Sequence, residues 1–436
     1  MNDAQPQPTK SMAPFFVIWT GQAFSLIGSN VAQFALVWWL TKLTGSATVL
    51  ATAMMMVMLP QVFLGPIAGA YVDRWNRRMV MIVADGLIAL AALWLAYQFW
   101  LGSMQVWYLY VIMLLRAVGG CFHWPAMQAS TSLMVPKEHL TRVAGLNQTI
   151  QGALGIIGPP LGAMLLAMLP MHDIMLIDVG TALLAIVPLL FVTIPQPAAN
   201  GREKAAAAQQ QSIWMDVRDG LRYVWSWPGL LLVMVMATII NFVLNPAFSL
   251  LPLLVTRHFK GGALQLGWLD STWGVGVVLG GLLLGVWGGF QRRIVTSLTG
   301  LALMGLGITL IGLTPADTFW LAVVAMFITG FMNPITNGPI FAMLQATVAP
   351  EMQGRVFMVV GSLTAAISPL SLAVAGPVAD AVGIRIWYVV GGVLCVVMGV
   401  SAFFIPAIVN LEQNHRGHAV EGEPPASPLT EAIAVD

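Results

Sequence analysis

The sequence predicts an all-α polytopic membrane protein with twelve transmembrane helices in two pseudo-symmetric six-helix bundles, and three observations carry that prediction. Of its 436 residues, 58% are hydrophobic and only 8% are charged, whereas a water-soluble domain carries about 25% charged residues. Apolar runs long enough to cross about 30 Å of hydrocarbon, roughly 20 residues each, recur along the chain between Gly, Pro or short charged turns. Landmarks of the first half also return in the second half at offsets of 213 to 216 positions.

Taken in order, the apolar runs place helices near 14–41, 47–71, 79–100, 106–133, 143–169 and 173–194. A second set falls near 229–256, 263–290, 294–314, 318–346, 356–380 and 384–408. The opening MNDAQPQPTKSMAP is polar, with no cationic n-region or small-residue cleavage site, so the first run is expected to be a retained helix. Between the sets, IPQPAANGREKAAAAQQQ is polar and repetitive and reads as a linker. The segment SIWMDVRDGLRYVWSW follows, with Ile213, Trp214, Val217, Leu221 and Val224 on one face, as an interfacial helix requires. The expected domains are therefore 1–194, a linker at 195–228, a second bundle at 229–408 and a disordered tail at 409–436.

Orientation follows from charge. With the N-terminus cytoplasmic, the outside loops hold only Lys42, Arg257, Lys260 and Arg385. Every other Lys and Arg falls on an inside segment, except Arg116, which lies within a span. This is the positive-inside pattern, and it predicts a multi-pass protein of the cell (inner) membrane with both termini cytoplasmic.

The internal repeat is in register at several places. Pro125 and Pro339 are 214 positions apart, as are Pro136 and Pro350, and the loops that follow both read Glu-x-x-x-Arg-Val, at Glu138–Val143 and Glu351–Val356. Gly65-x-x-x-Gly69 precedes Arg77 at the spacing with which Gly281-x-x-x-Gly285 precedes Arg293. Parallel six-helix halves of this kind rock about a central site.

These residues carry a family resemblance. Gly69-x-x-x-Asp73-Arg74-x-x-Arg77-Arg78 resembles the signature loop of the major facilitator superfamily, in a chain whose twelve-span duplication agrees with that fold. Gly155, Gly158, Pro159, Pro160 and Gly162 look like the antiporter motif of its drug:proton antiporter branch, with Ala163 where a further glycine is usual. Arg116 followed by Gly120 resembles that branch's intramembrane arginine motif, although Gly119 replaces a frequent glutamine. The stretches IWTGQAFSLIGS, FHWPAMQASTSLMVPKEHLT and GRVFMVVGSLTAAISPL look most like the macrolide-efflux exporters, with siderophore exporters similar in pattern. The resemblance implies export, energised by protons. It also implies that the signature loop acts as a latch, closed when the transporter faces outward and broken when it faces inward.

The residues themselves suggest how such a machine would be built. The cationic loop anchors helix ends at an anionic leaflet, and Asp73 is suited to a helix N-terminus or an arginine. Asp85, close in sequence to Arg77 and Arg78, is expected to join that latch. Arg116, near the bilayer midplane, sits where an isolated cation costs roughly 2.5–3.5 kcal/mol and therefore needs a partner or water. Asp178 and Asp270 lie inside spans and Asp380 at the outer end of one. Asp178 and Asp270 are expected, with Arg116 and His123, to serve proton coupling. Gly155, Gly158 and Gly162 share a helix face that admits a close neighbour. Gln22, Ser25, Ser29 and Gln33 form a polar stripe in the first span, as Thr238, Asn241, Asn245 and Ser249 do in the seventh. Asn333, Thr336 and Asn337 add a patch in the tenth. These stripes are expected to face a substrate cavity walled by some of the 16 Trp and 26 Met.

Several function classes have no support. There is no Gly-x-x-x-x-Gly-Lys-Ser/Thr run for ATP, no His-Glu-x-x-His or paired Cys ligands, and no Gly-x-Ser-x-Gly elbow. Cys121 and Cys395 read as buried small hydrophobes, and the net charge of +1 comes with no basic patch for nucleic acid. The expectation is a transporter, not an enzyme, acting as a monomer in the lipid bilayer without cofactor or metal. It would exchange protons for bulky amphiphilic compounds such as macrolide-like antibiotics. A siderophore or metabolite exporter is the alternative, and a non-transporting membrane sensor or assembly protein is the alternative of another class.

Overall fold

A computed structural model of the chain describes residues 12–195, 218, 221–348 and 350–411. Most of the expected linker and of the C-terminal tail lies outside the described residues. Among the described residues, twelve helices are long and apolar enough to cross a membrane. They are α1 (Ala13–Thr44), α2 (Ala47–Arg74), α3 (Arg77–Trp100), α4 (Val106–Met134), α5 (Leu140–Met168) and α6 (Met171–Phe191), followed by α7 (Pro228–Ser249), α8 (Ala263–Trp287), α9 (Arg293–Leu313), α10 (Phe319–Thr347), α11 (Pro350–Val382) and α12 (Arg385–Ala402).

Local chemistry sets the breaks. Gly45, at φ 59°, supplies the left-handed residue that ends α1, and Ser46 caps α2 by accepting from the Val49 amide. Asn76 caps α3 in the same way through the Met79 amide. The seventh helix, expected to reach 256, ends at Ser249 because Pro252 has no N–H to donate to the preceding turn. The chain continues as a short turn, Leu251–Leu253, and a π-helical turn, Leu254–His258.

Helix pairing repeats with a period of six. α1 packs on α5 and α6, α2 on α4, and α3 on α4 and α6. Correspondingly, α7 packs on α11 and α12, α8 on α10, and α9 on α10 and α12. Most of the contact between the halves comes from two pairs, α2 with α11 and α5 with α8, and these are images of each other under the same repeat. Both seams use glycine for close approach: a Cβ on Gly376 would sit 2.7 Å from the Thr48 Cα, and one on Gly267 3.2 Å from the Pro160 backbone. Large apolar side chains cover the outside, with Val286 91% exposed and Phe191 82%, as a lipid-facing surface requires.

The core is continuous at one end and divided at the other. Opposite the chain termini, Leu36, Leu40, Leu50 and Ala51 of the first half join Leu250, Leu254, Leu372 and Ala375 of the second in one cluster. At the terminus end there are two clusters. Phe15, Val72, Met81 and Met134 belong to one, and Trp227, Ile294, Met343 and Ile408 to the other, each drawn from a single half. The halves are therefore cemented at the far end and cored separately at the terminus end.

Candidate functional site

The second half holds a cavity of about 450 Å³. Its walls are Met236, Ile240, Phe248 and neighbours from α7, Trp273 from α8, Leu298, Leu301 and Met304 from α9, and Met58 reaching across from α2. Polar groups come from the predicted stripes: Asn241, Asn245 and Ser249 on α7, and Asn333, Thr336 and Asn337 on α10, with Thr329 and Ser297. No ionisable side chain lines it. Asn241 and Asn337 each donate Nδ2 to the carbonyl four residues back, at 2.9 and 3.1 Å, which leaves their Oδ1 acceptors available. Pro246 in α7 and Pro334 and Pro339 in α10 remove further intrahelical bonds along these walls. The surface is apolar and aromatic, with a few fixed hydrogen-bonding groups, and it is suited to a large ligand with scattered polar atoms.

A smaller cavity of about 280 Å³ adjoins it, sharing Phe248 and Ser249. It lies between the halves, with Asn30, Gln33 and Phe34 from α1, Gly155, Gly158 and Pro159 from α5, and Asp270 from α8. Asp270 is its one ionisable residue and makes no hydrogen bond or ion pair among the described residues. Its neighbour Ser271 donates to the Ile156 carbonyl at 2.6 Å, so Asp270 stands beside the α5–α8 seam.

The first half treats its buried charges differently. Asp178 of α6 is fully buried, lies 2.5 Å from Arg116 Nη1 and accepts from Ser29 Oγ at 3.0 Å. Asp85 of α3 accepts from Gln22 Nε2 at 2.9 Å and has His123 Nε2 3.2 Å away. Gln22 and Ser29 are seven residues apart on α1, as are Arg116 and His123 on α4, so the two arrangements are layers stacked two turns apart, about 10 Å. Each carboxylate is held between a donor from α1 and a cationic or titratable group from α4.

A profile of the transmembrane secretion effector family of the major facilitator superfamily matches residues 8–428. The chain belongs to that family. It is 32% identical over 398 residues to macrolide efflux protein A of Streptococcus pyogenes, covering 91% of this chain and 97% of the relative. It is 28% identical to the multidrug efflux pump Tap of Mycolicibacterium fortuitum, covering 88% and 94%. Among solved structures, a bacterial homologue of the human lysosomal transporter Spinster superposes with a TM-score of 0.64 at 14% identity, over 96% of this chain and all of that one.

Within this secretion-effector fold the other predicted residues fall as follows. In the signature loop, Arg77 donates to the Ala129 carbonyl at 3.1 Å, and Arg78 to the carbonyls of Leu189 and Leu190, so both tie helices of the first half together. Arg74 is exposed, Gly69 has open space where a Cβ would project, and the Asp73 side chain lies outside the described residues. Asp85 was expected with these arginines. Its partners are instead Gln22 and His123, because Asp85 is two helical turns from Arg78 and faces α1 and α4. The α1 stripe divides: Gln22 and Ser29 are spent on carboxylates, Ser25 is buried, and Gln33 lines the smaller cavity. In the antiporter motif, a Cβ on Gly162 would meet the Phe34 ring at 2.8 Å, whereas Pro159 and Pro160 back onto Gly267. The motif thus packs α1 on one side and α8 on the other. Met58, Trp273 and Phe248 were not singled out from sequence, since a cavity-lining Met or Trp has the same pattern as a core one.

Proposed function

We propose that this transporter exports bulky amphiphilic compounds, macrolide-like antibiotics among them, in exchange for protons by alternating access. The observation that carries the reading is the large uncharged cavity next to Asp270, a carboxylate between the halves with no hydrogen bond or ion pair among the described residues. Its relatives' names, macrolide efflux protein A and multidrug efflux pump, support the cargo class. The distribution of Lys and Arg supports cytoplasmic termini in the cell membrane, so the divided end faces the cytoplasm and the cemented end faces out.

In this state cargo enters from the cytoplasm and lodges against Trp273, Phe248 and the α7 and α10 amides. Asp270 gives up its proton on the cytoplasmic side as cargo binds. The halves then swing, the far end parts, cargo leaves and Asp270 is reprotonated from outside, which permits the return. A monomer contains every group this cycle uses. The Arg116–Asp178 and His123–Asp85 layers hold the first half together while it moves, with His123 as a second group able to exchange a proton. The signature loop, Asp73 included, would close the cytoplasmic end in the opposite state, and the glycines of the antiporter motif would keep the α5–α8 seam tight against leakage.

The test is transport in proteoliposomes with an imposed proton gradient. The parent protein should drive a macrolide against its concentration and move protons the opposite way. Asp270→Asn should lose gradient-driven transport while still binding the macrolide. Retention of full gradient coupling by Asp270→Asn would overturn the assignment, and a gene deletion that changes cell-associated siderophore but not macrolide susceptibility would replace the cargo.

A further inference from the structure

We propose that Asp380 is the latch of the far end, a carboxylate of one half that caps a helix of the other only while that end is shut. This rests on the alternating-access reading. Asp380 sits in the last turn of α11. Its Oδ2 accepts from Ser46 Oγ at 2.8 Å and from the Thr48 amide at 2.9 Å, and its Oδ1 accepts from the Ala47 amide at 2.8 Å. Ser46 is the N-cap of α2, and Ala47 and Thr48 open the helix. The first amides of a helix have no partner within it and carry the positive end of its dipole. Here two of them are satisfied by a charge more than 330 residues away, in the opposite half.

Two further features make the contact conditional on closure. Arg257, on the π-helical turn after α7, has Nη1 3.6 Å from Asp380 Oδ1, so the carboxylate is held from within its own half and does not travel with α2. Gly376, one turn earlier on α11, brings that helix against the Thr48 backbone, an approach that any side chain would forbid. Parting α2 from α11 therefore breaks all three hydrogen bonds together. Asp380 is only partly buried, so water replaces them once the end opens and no charge is stranded. α2 and α11 run antiparallel, and Asp73 occupies the matching place in the last turn of α2 at the other end of the pair. One helix pair thus carries a last-turn carboxylate at each end.

The experiment measures distances between spin labels in a background with Cys121→Ala and Cys395→Ala. Leu43→Cys with Val382→Cys reports the far end, and Ser132→Cys with Gln345→Cys the terminus end. All four positions are exposed. In the parent, adding erythromycin or an acid outer pH should shift the two pairs in opposite directions. Asp380→Asn should raise the ratio of far-end-open to far-end-closed molecules roughly tenfold, the scale of losing charge-assisted hydrogen bonds. Arg257→Ala should produce a smaller shift of the same sign and serves if Asp380→Asn folds poorly. Unaltered distance distributions in both variants, with the parent still alternating, would overturn the latch alone. A parent whose two pairs never move oppositely would overturn alternation and the latch with it.

Discussion

The two halves share one pattern of helix pairing and differ in how they handle polarity. In the first half each buried carboxylate is bracketed: Asp178 by Arg116 and Ser29, Asp85 by His123 and Gln22. In the second half the cavity contains amides and hydroxyls but no charge, and Asp270, which makes no hydrogen bond or ion pair among the described residues, lines the smaller cavity that adjoins it. Bracketed charges keep their partners when a half moves as a body, since both members belong to the same half. Asp270 and Asp380 touch the boundary between halves, so a movement of one half against the other would change their surroundings. The first half pairs its buried charges internally, and the second presents the larger cavity.

The comparison breaks most easily at Arg116. Arg116→Ala leaves Asp178 buried and uncompensated, which costs about 3–5 kcal/mol for such a pair and should greatly lower the yield of folded protein. Arg116→Leu combined with Asp178→Leu should recover much of the thermal midpoint in detergent. A single variant as stable as the parent would mean that the layer is not structural. Next in size, Asn241→Leu or Asn337→Leu should weaken binding of a macrolide by about fivefold, the scale of one hydrogen bond. Titration of ligand-induced thermal shifts at several concentrations measures it, and the response to the proton gradient should stay intact. The smallest effect is expected at His123→Gln. Glutamine carries an amide able to donate to Asp85, so stability should change by less than about 1 kcal/mol while the pH dependence of transport narrows. An unchanged pH profile would remove His123 from proton exchange and leave the lower layer purely structural.

Much of the site could be anticipated. Asn241 and Asn245 fall on one helical face, as do Asn333 and Asn337, and both pairs do line one cavity, because polar residues at helical spacing in an apolar span must share a neighbour. The α1 stripe showed the limit of that rule: Gln22 and Ser29 have the same spacing yet bond to carboxylates of α3 and α6. Periodicity tells which residues share a face, not what the face meets. Asp85 illustrates the same point, since nearness in sequence to Arg77 suggested a partner and helical geometry supplied others. Met58 and Trp273 carried no signal at all, because apolar cavity walls and apolar cores have the same composition.

By itself the amino-acid order determined the class and the count. A chain with 8% charge cannot bury its apolar runs in water, and a run near 20 residues long in hydrocarbon must satisfy its own backbone as a helix. The return of Pro125 and Pro136 at 214 positions later, and of the Glu-x-x-x-Arg-Val loop at 213 positions later, determined that there are two related halves. Only the tertiary structure decided which charge meets which, that the halves are joined by α2 with α11 and α5 with α8, and that one end is shut. Those facts depend on contacts between segments up to 334 residues apart. No local pattern records such contacts, because each helix satisfies its own hydrogen bonds before it finds its neighbours.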